Sequence, residues 1–142
     1  MKEIDYLCIE DDSDYCHFIV RATESLQIPI NVKIKNEAET ALEFLREIKD
    51  TKLMPKIIFL DINLPDISGL EVLKVLKESN HLRQIPVIML SSSENQKDIS
   101  QSMDLGANAY VTKPGSYKGL KSLFWDAHNF WLNHNFTSLR QN

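Results

Sequence analysis

Ile57-Ile58-Phe59-Leu60-Asp61 sets four apolar side chains in a row and ends them on an acid. An apolar run this short, continuous rather than alternating, fits a strand covered on both faces, as strands are in parallel sheets packed between helices. Three other stretches share its form: Tyr6-Leu7-Cys8-Ile9, Val87-Ile88-Met89-Leu90 and the briefer Ala109-Tyr110-Val111. Ile30 to Lys35 alternates apolar and polar residues and suits an edge strand. Between these runs the period changes. Tyr15, Phe18, Ile19, Ala22 and Leu26 recur at helical steps, as do Ala38, Ala41, Leu42, Leu45 and Ile48, and then Leu70, Leu73 and Leu76. A weaker helical pattern covers Glu94 to Leu105, closed by Gly106, and a long one runs from near Tyr117 to about Asn135.

Strand and helix thus alternate through five βα units. Repeated units of this kind enforce right-handed crossovers and a parallel sheet with helices on both faces, an α/β fold for which the strand order 2-1-3-4-5 is the common solution. The 142 residues suit a single domain, 1–142, whose last helix extends over about 117–135 before a short tail. Hydrophobic residues at 43% and charged residues at 25% exclude wholesale disorder. A formal charge of -4 without a basic stripe argues against nucleic acid as a partner. Cys8 and Cys16 form neither a CxxC pair nor a metal cluster, and no apolar run approaches the ~18 residues that would span a bilayer. A cytoplasmic protein, away from the membrane, is expected.

In this topology ligands gather outside the carboxyl ends of the first and third strands, where the strand order reverses. Strand one ends in Glu10-Asp11-Asp12 and strand three in Asp61. Two like charges ~4 Å apart repel by roughly 1 kcal/mol in water and several times that when partly shielded, so such a cluster calls for a counter-ion. All-oxygen ligands with no His or Cys point to a hard divalent ion, and a shallow crevice with few ligands suits Mg²⁺. The three acids after strand one equally suit a solvated cap on the following helix. Asp61 has no helix start beside it, so that reading serves it poorly. Ser91 follows strand four and Lys113, before Pro114, follows strand five, both on the same rim. Carboxylate, hydroxyl, ammonium and divalent ion are the parts that hold and transfer a phosphoryl group.

With these residues in place the chain resembles a receiver domain of the two-component response regulators, from Lys2 to about Phe130. The resemblance rests on Glu10-Asp11, on Asp61-Ile62-Asn63-Leu64-Pro65-Asp66-Ile67-Ser68-Gly69, on Ser91, and on Tyr110-Val111-Thr112-Lys113-Pro114. It implies a flavodoxin-like three-layer sandwich that takes a phosphoryl group from the phosphohistidine of a sensor histidine kinase. Asp61 would be the phosphoacceptor, with Mg²⁺ held by Glu10, Asp11, Asp61 and the backbone carbonyl of Asn63. Ser91 and Lys113 would hold the phosphoryl oxygens, Ser91 and Tyr110 would form the switch, and the Lys113–Pro114 bond would be cis. The output would be contact with a downstream protein or a phosphotransfer protein in a phosphorelay, without turnover of a free metabolite. Two features depart from the family pattern or sit at its margin: Ser92 stands where a small apolar residue is usual, and the acid pair begins with Glu, which the family also allows.

On a regular helix, at ~100° per residue, Leu120, Leu123, Phe124, Ala127, Phe130 and Trp131 share the core face. Trp125, Leu132 and Phe136 fall nearly opposite and mark a candidate surface for a homodimer or a partner helix. The aromatic end Phe130-Trp131-Leu132 is also similar to that of the stand-alone receivers paired with bacterial phytochromes. Three other readings compete. An aspartyl-phosphate phosphohydrolase uses similar parts, but its family places the nucleophile on the first strand and the acid pair late. A flavin-phosphate carrier would have Glu10-Asp11-Asp12 repelling its ligand. A phosphorylation-independent interaction module would have no use for the intact set Asp61, Ser91 and Lys113.

Overall fold

The structure is a computed structural model that describes residues 2–134. Its strands are β1 (Tyr6–Ile9), β2 (Val32–Lys35), β3 (Ile57–Leu60), β4 (Val87–Ser91) and β5 (Ala109–Thr112), and its helices α1 (Ser13–Glu24), α2 (Ala38–Glu47), α3 (Gly69–Glu78), α4 (Gln96–Asp104) and α5 (Tyr117–Ala127). All strand pairs are parallel, in the order β2-β1-β3-β4-β5, as the alternation of periods predicts. The continuous apolar runs β1, β3 and β4 are buried throughout, whereas the alternating β2 lies at an edge and stays partly exposed.

Successive strand residues serve opposite faces, so each run feeds two apolar layers. Leu7, Ile9, Ile58, Leu60, Val87 and Met89 pack with Leu42 and Leu45 of α2 and with Val72, Leu73 and Leu76 of α3. Tyr6, Cys8, Ile57, Phe59, Ile88 and Leu90 meet Ile19 and Ala22 of α1 and Leu120, Phe124 and Ala127 of α5. Tyr6 is fully buried, and its hydroxyl donates to the Phe124 carbonyl at 2.9 Å, which removes the cost of an unpaired polar tip in the core.

Four helices start on side-chain caps within their own chain segment: Asp12 for α1, Ser68 for α3, Asn95 for α4 and Ser116 for α5. Asp12 accepts from the amides of Asp14 and Tyr15, so of the three acids after β1 it is this one that takes the capping role. Helix α2 is different. Glu37 makes no side-chain cap, and Asp66 reaches across from the β3–α3 loop to accept from the amides of Ala38 and Glu39 at 3.0 and 2.9 Å. Helix α4 ends in a Schellman turn: the amide of Gly106 donates to Met103 and that of Ala107 to Ser102, with Gly106 at φ 103°, a conformation that favours glycine.

The chain after α5 differs from the expected regular helix. From His128 to His134 it is a π-helix. Each residue of a π-helix turns through a smaller angle than in an α-helix, so the faces are re-phased. Phe130, expected on the core face, is 54% exposed, while Leu132, expected on the outer face, packs against the α1/α5 core layer with Trp131. Trp125 is exposed as expected, and Phe136 lies outside the described residues. Trp125 and Leu132 therefore do not form one outward stripe. The π-helix begins one turn beyond Phe124, whose carbonyl accepts from both the His128 amide and the Tyr6 hydroxyl.

Among the described residues no peptide bond is cis. The Lys113–Pro114 bond is trans, against the cis bond implied by the resemblance. Trans is the lower-energy isomer by ~0.5–1 kcal/mol before Pro, and here it is compatible with the Lys113 amide donating to the Ser91 carbonyl at 2.8 Å. No described helix is long and apolar enough to cross a membrane.

Candidate functional site

Parallel strands bring the residues that follow β1, β3 and β5 to one edge of the sheet, and three charged groups meet there. Glu10 and Asp61 are only 2% and 5% exposed, and a buried carboxylate is costly unless it is paired. Lys113 supplies the pairing. Its Nζ lies 2.7 Å from Glu10 Oε1 and 3.1 Å from Asp61 Oδ2, bridging the ends of β1 and β3 from the end of β5. The other Glu10 oxygen accepts from the Asp12 amide at 3.2 Å.

Burial pushes the Glu10 carboxyl above the usual carboxylate range. The hydrogen bond from Lys113 opposes that shift, and the charge of Asp61 adds to it. For Lys113 burial alone would pull the ammonium down, but the Glu10 hydrogen bond and the charges of Asp61 and Glu10 outweigh it and hold the group above its ordinary value. Lys113 is therefore a firmly protonated bridge.

Asp11 stands exposed at the mouth, and one carboxylate oxygen each of Glu10, Asp11 and Asp61 lies within 4.8 Å of the others. Three carboxylates against one ammonium leave two formal negative charges, and all the candidate ligands are oxygen. That donor set fits a small hard divalent cation. Asn63, two residues beyond Asp61, donates its amide weakly to Asp61 Oδ1 at 3.4 Å. The loop carrying Asn63 closes tightly: the Gly69 amide donates to the Ile62 carbonyl at 2.7 Å. A Cβ on Gly69 would sit 2.0 Å from the Asp61 carbonyl oxygen, so only glycine permits that approach.

Ser91 ends β4, fully buried, with its Oγ accepting weakly from the Ser93 amide at 3.4 Å. Its backbone carbonyl takes the Lys113 amide, which ties the ends of β4 and β5 together. Tyr110 is half-buried on β5, and its hydroxyl donates to the Ser93 carbonyl at 2.7 Å. The Ser93 hydroxyl in turn donates to Asp98 of α4 at 2.7 Å. Ser91 and Tyr110 thus hold opposite sides of one short loop that leads into α4, and Ser92 is exposed on that loop.

The model of the response regulator receiver domain matches residues 6–124. This chain belongs to the response regulator receiver family. It is 32% identical over 130 residues to the probable methanogenesis regulatory protein FilR2 of Methanothrix harundinacea, covering 91% of this chain and 84% of that one. It is 30% identical over 128 residues to the response regulator Rcp1 of Synechocystis, covering 89% and 87%. Among solved structures it is similar to the phosphorylated cyanobacterial phytochrome response regulator RcpA, with TM-score 0.84, 31% identity and coverage of 96% of this chain and 99% of that one. It also resembles the Mn²⁺-bound form of Rcp1, with TM-score 0.80, 28% identity and coverage of 94% and 98%.

Two residues of this receiver's site edge escape a reading of periodicity. Tyr15 looks like the first core position of α1, yet its ring lies against Lys113, 4.7 Å from Nζ to ring centroid. The available signal is an aromatic residue in the first helical turn directly after an acid pair at the sheet's carboxyl edge. Asp66 looks like one more acid in a loop, and the signal for its role is Glu37, which leaves α2 without a local cap.

Proposed function

We propose that this receiver accepts a phosphoryl group on Asp61 from the phosphohistidine of a sensor histidine kinase, using Mg²⁺, and passes the signal on by contact with another protein in the cytoplasm. The observation that carries the reading is Lys113 seated between Glu10 and Asp61, with Asp11 completing an all-oxygen cluster. Glu10, Asp11 and Asp61, and by the family resemblance the backbone carbonyl of Asn63, would hold the cation. When bound, it neutralises charge developing on the phosphoryl oxygens.

The chain's own residues supply the remainder. An Asp61 carboxylate oxygen attacks phosphorus, an oxygen–phosphorus bond forms, and the phosphorus–nitrogen bond breaks with the imidazole as leaving group. Lys113 keeps its hydrogen bond to Glu10 and donates to a phosphoryl oxygen in place of the free carboxylate. The Ser91 hydroxyl donates to a second oxygen. Any movement of Ser91 toward Asp61 pulls the loop through Ser93, and Tyr110 is bonded to that loop, so a change at Asp61 reaches β5 and α4.

Incubation with acetyl phosphate and Mg²⁺, read by intact mass, is expected to add one phosphoryl group to the wild type and none to Asp61→Asn. Undiminished labelling of the variant would overturn the assignment of the acceptor. The order of the motifs, acid pair on β1 and acceptor after β3, supports a signalling acceptor over an aspartyl-phosphate phosphohydrolase, and steady release of phosphate from small phosphomonoesters would reverse that preference.

A further inference from the structure

We infer that Tyr15 is a positioning residue for Lys113, its ring holding the ammonium so that it points at the reacting oxygens of Asp61; this rests on the phosphoacceptor reading above. An ammonium has three N–H donors and no acceptor. Lys113 Nζ has two carboxylate partners, Glu10 Oε1 at 2.7 Å and Asp61 Oδ2 at 3.1 Å. Its further neighbour is the face of Tyr15, with the ring centroid 4.7 Å away. A cation over an aromatic face is attracted by the ring quadrupole, and more strongly where water is excluded. The Lys113 side chain is 12% exposed, which meets that condition.

The ring is itself held from several sides. Tyr15 is half-buried at the start of α1, its amide donates to the capping Asp12, and its ring meets Phe18 at 5.9 Å between centroids. Its hydroxyl donates weakly to the Pro114 carbonyl at 3.5 Å, the residue directly after Lys113. Burial, with the charges of Glu10 and Asp61 adding to it, pushes the phenol above its ordinary range, so the ring stays neutral beside the carboxylates. Lys113 is the tip of a long flexible chain, and phosphoryl transfer asks it to exchange one carboxylate oxygen for a phosphoryl oxygen without losing its place. A partner that does not take part in the exchange limits where the ammonium can swing. Tyr15 is such a partner, because its contact uses the ring face and competes for no oxygen.

The decisive property is the aromatic face and not the hydroxyl, so Tyr15→Phe separates the proposal from a general packing role. Acetyl phosphate labelling of Asp61 with Mg²⁺ is expected to stay within about twofold of wild type in Tyr15→Phe and to slow by roughly fivefold in Tyr15→Leu, the range an exposed to partly desolvated cation–ring contact supports. In spectra of lysine-labelled protein, assigned with Lys113→Met, the Lys113 ε-methylene protons are expected to carry an upfield ring-current shift in wild type and Tyr15→Phe that is lost in Tyr15→Leu. Equal labelling rates in all three proteins, or wild-type ε-methylene protons without the shift, would overturn the proposal. If Tyr15→Leu does not fold, the wild-type and Tyr15→Phe spectra still decide it. Absence of labelling in the wild type would instead overturn the phosphoacceptor reading and this inference with it, an outcome distinct from labelling that is merely indifferent to Tyr15.

Discussion

Lys113 and Lys77 are both withdrawn from solvent, at opposite ends of the same sheet, and their surroundings push them in opposite directions. At the carboxyl edge Lys113 sits between Glu10 and Asp61, and its ammonium is held above the ordinary value despite burial. At the amino edge Lys77 reaches from α3 to the Ile85 carbonyl at 3.2 Å, the Asn108 side-chain oxygen at 3.1 Å and, weakly, the Arg83 carbonyl at 3.5 Å. Those partners are neutral dipoles, and burial pulls Lys77 below the usual lysine range. Asn108 Oδ1 also accepts from the Val87 amide, so this cluster fastens the entries of β4 and β5. One lysine satisfies charge, the other satisfies loops. The difference teaches that a buried cation keeps its charge where the counter-charges are themselves buried and outnumber it, and is pulled toward neutrality where its partners are only dipoles.

The comparison can be broken most directly at Lys113. Lys113→Met is expected to slow labelling of Asp61 by about a hundredfold, the order seen on removing one donor to developing negative charge. It should also lower stability by ~3 kcal/mol by leaving two buried carboxylates unpaired. Urea denaturation and intact mass read the two effects, and a variant that labels at the wild-type rate would erase the distinction between the lysines. Lys77→Met is expected to cost ~1–2 kcal/mol in stranded carbonyls and to leave labelling unchanged. Its pH dependence sharpens the contrast. With a folded-state pKa below the unfolded value, Lys77 binds fewer protons folded than unfolded, so its contribution rises as pH increases toward ~10.4. The stability gap between wild type and Lys77→Met should therefore widen in favour of wild type over that window, and a gap that narrows would contradict the assigned direction.

The smallest effect is expected at Asp66, an exposed carboxylate that accepts from the amides of Ala38 and Glu39 and, among the described residues, pairs with no cation. The amide of Glu39, opposed by slight desolvation and joined by that of Ala38, holds it below the ordinary Asp range. Asp66→Ala should cost ~1 kcal/mol or less, as loss of a helix cap does. A depressed folded-state pKa gives stability that is present above the unfolded value of ~3.9 and is lost as pH falls through the folded one. Thermal melts at neutral and strongly acidic pH should show the difference shrinking on acidification, and an unchanged difference would deny the cap its charge.

The strand order, the two apolar layers and the gathering of Glu10, Asp61 and Lys113 were legible from short apolar runs ending in charged residues, because a parallel sheet leaves those residues no other edge to occupy. The division of labour among Glu10, Asp11 and Asp12 was not legible. An acid after a strand and before a helix satisfies both a cap and a cation, and only the backbone path shows that Asp12 faces the α1 amides. The outer face of the last helix is illegible for a related reason. A regular helical period does not hold through His128–His134, where the π-helical ladder exposes Phe130 and packs Leu132 against the core.

Sequence alone determined the α/β alternation, the parallel topology and the identity of the charged rim, since hydrophobic period and chain order are local properties that a crossover rule converts into a fold. Tertiary structure alone decided which charges neutralise which, the placement of Tyr15 over Lys113, the reach of Asp66 to α2 and the π-helical end after Ala127. Those depend on atoms remote in the chain meeting at ångström range, where the energy of a contact is set by direction and burial and not by the spacing of residues along the sequence.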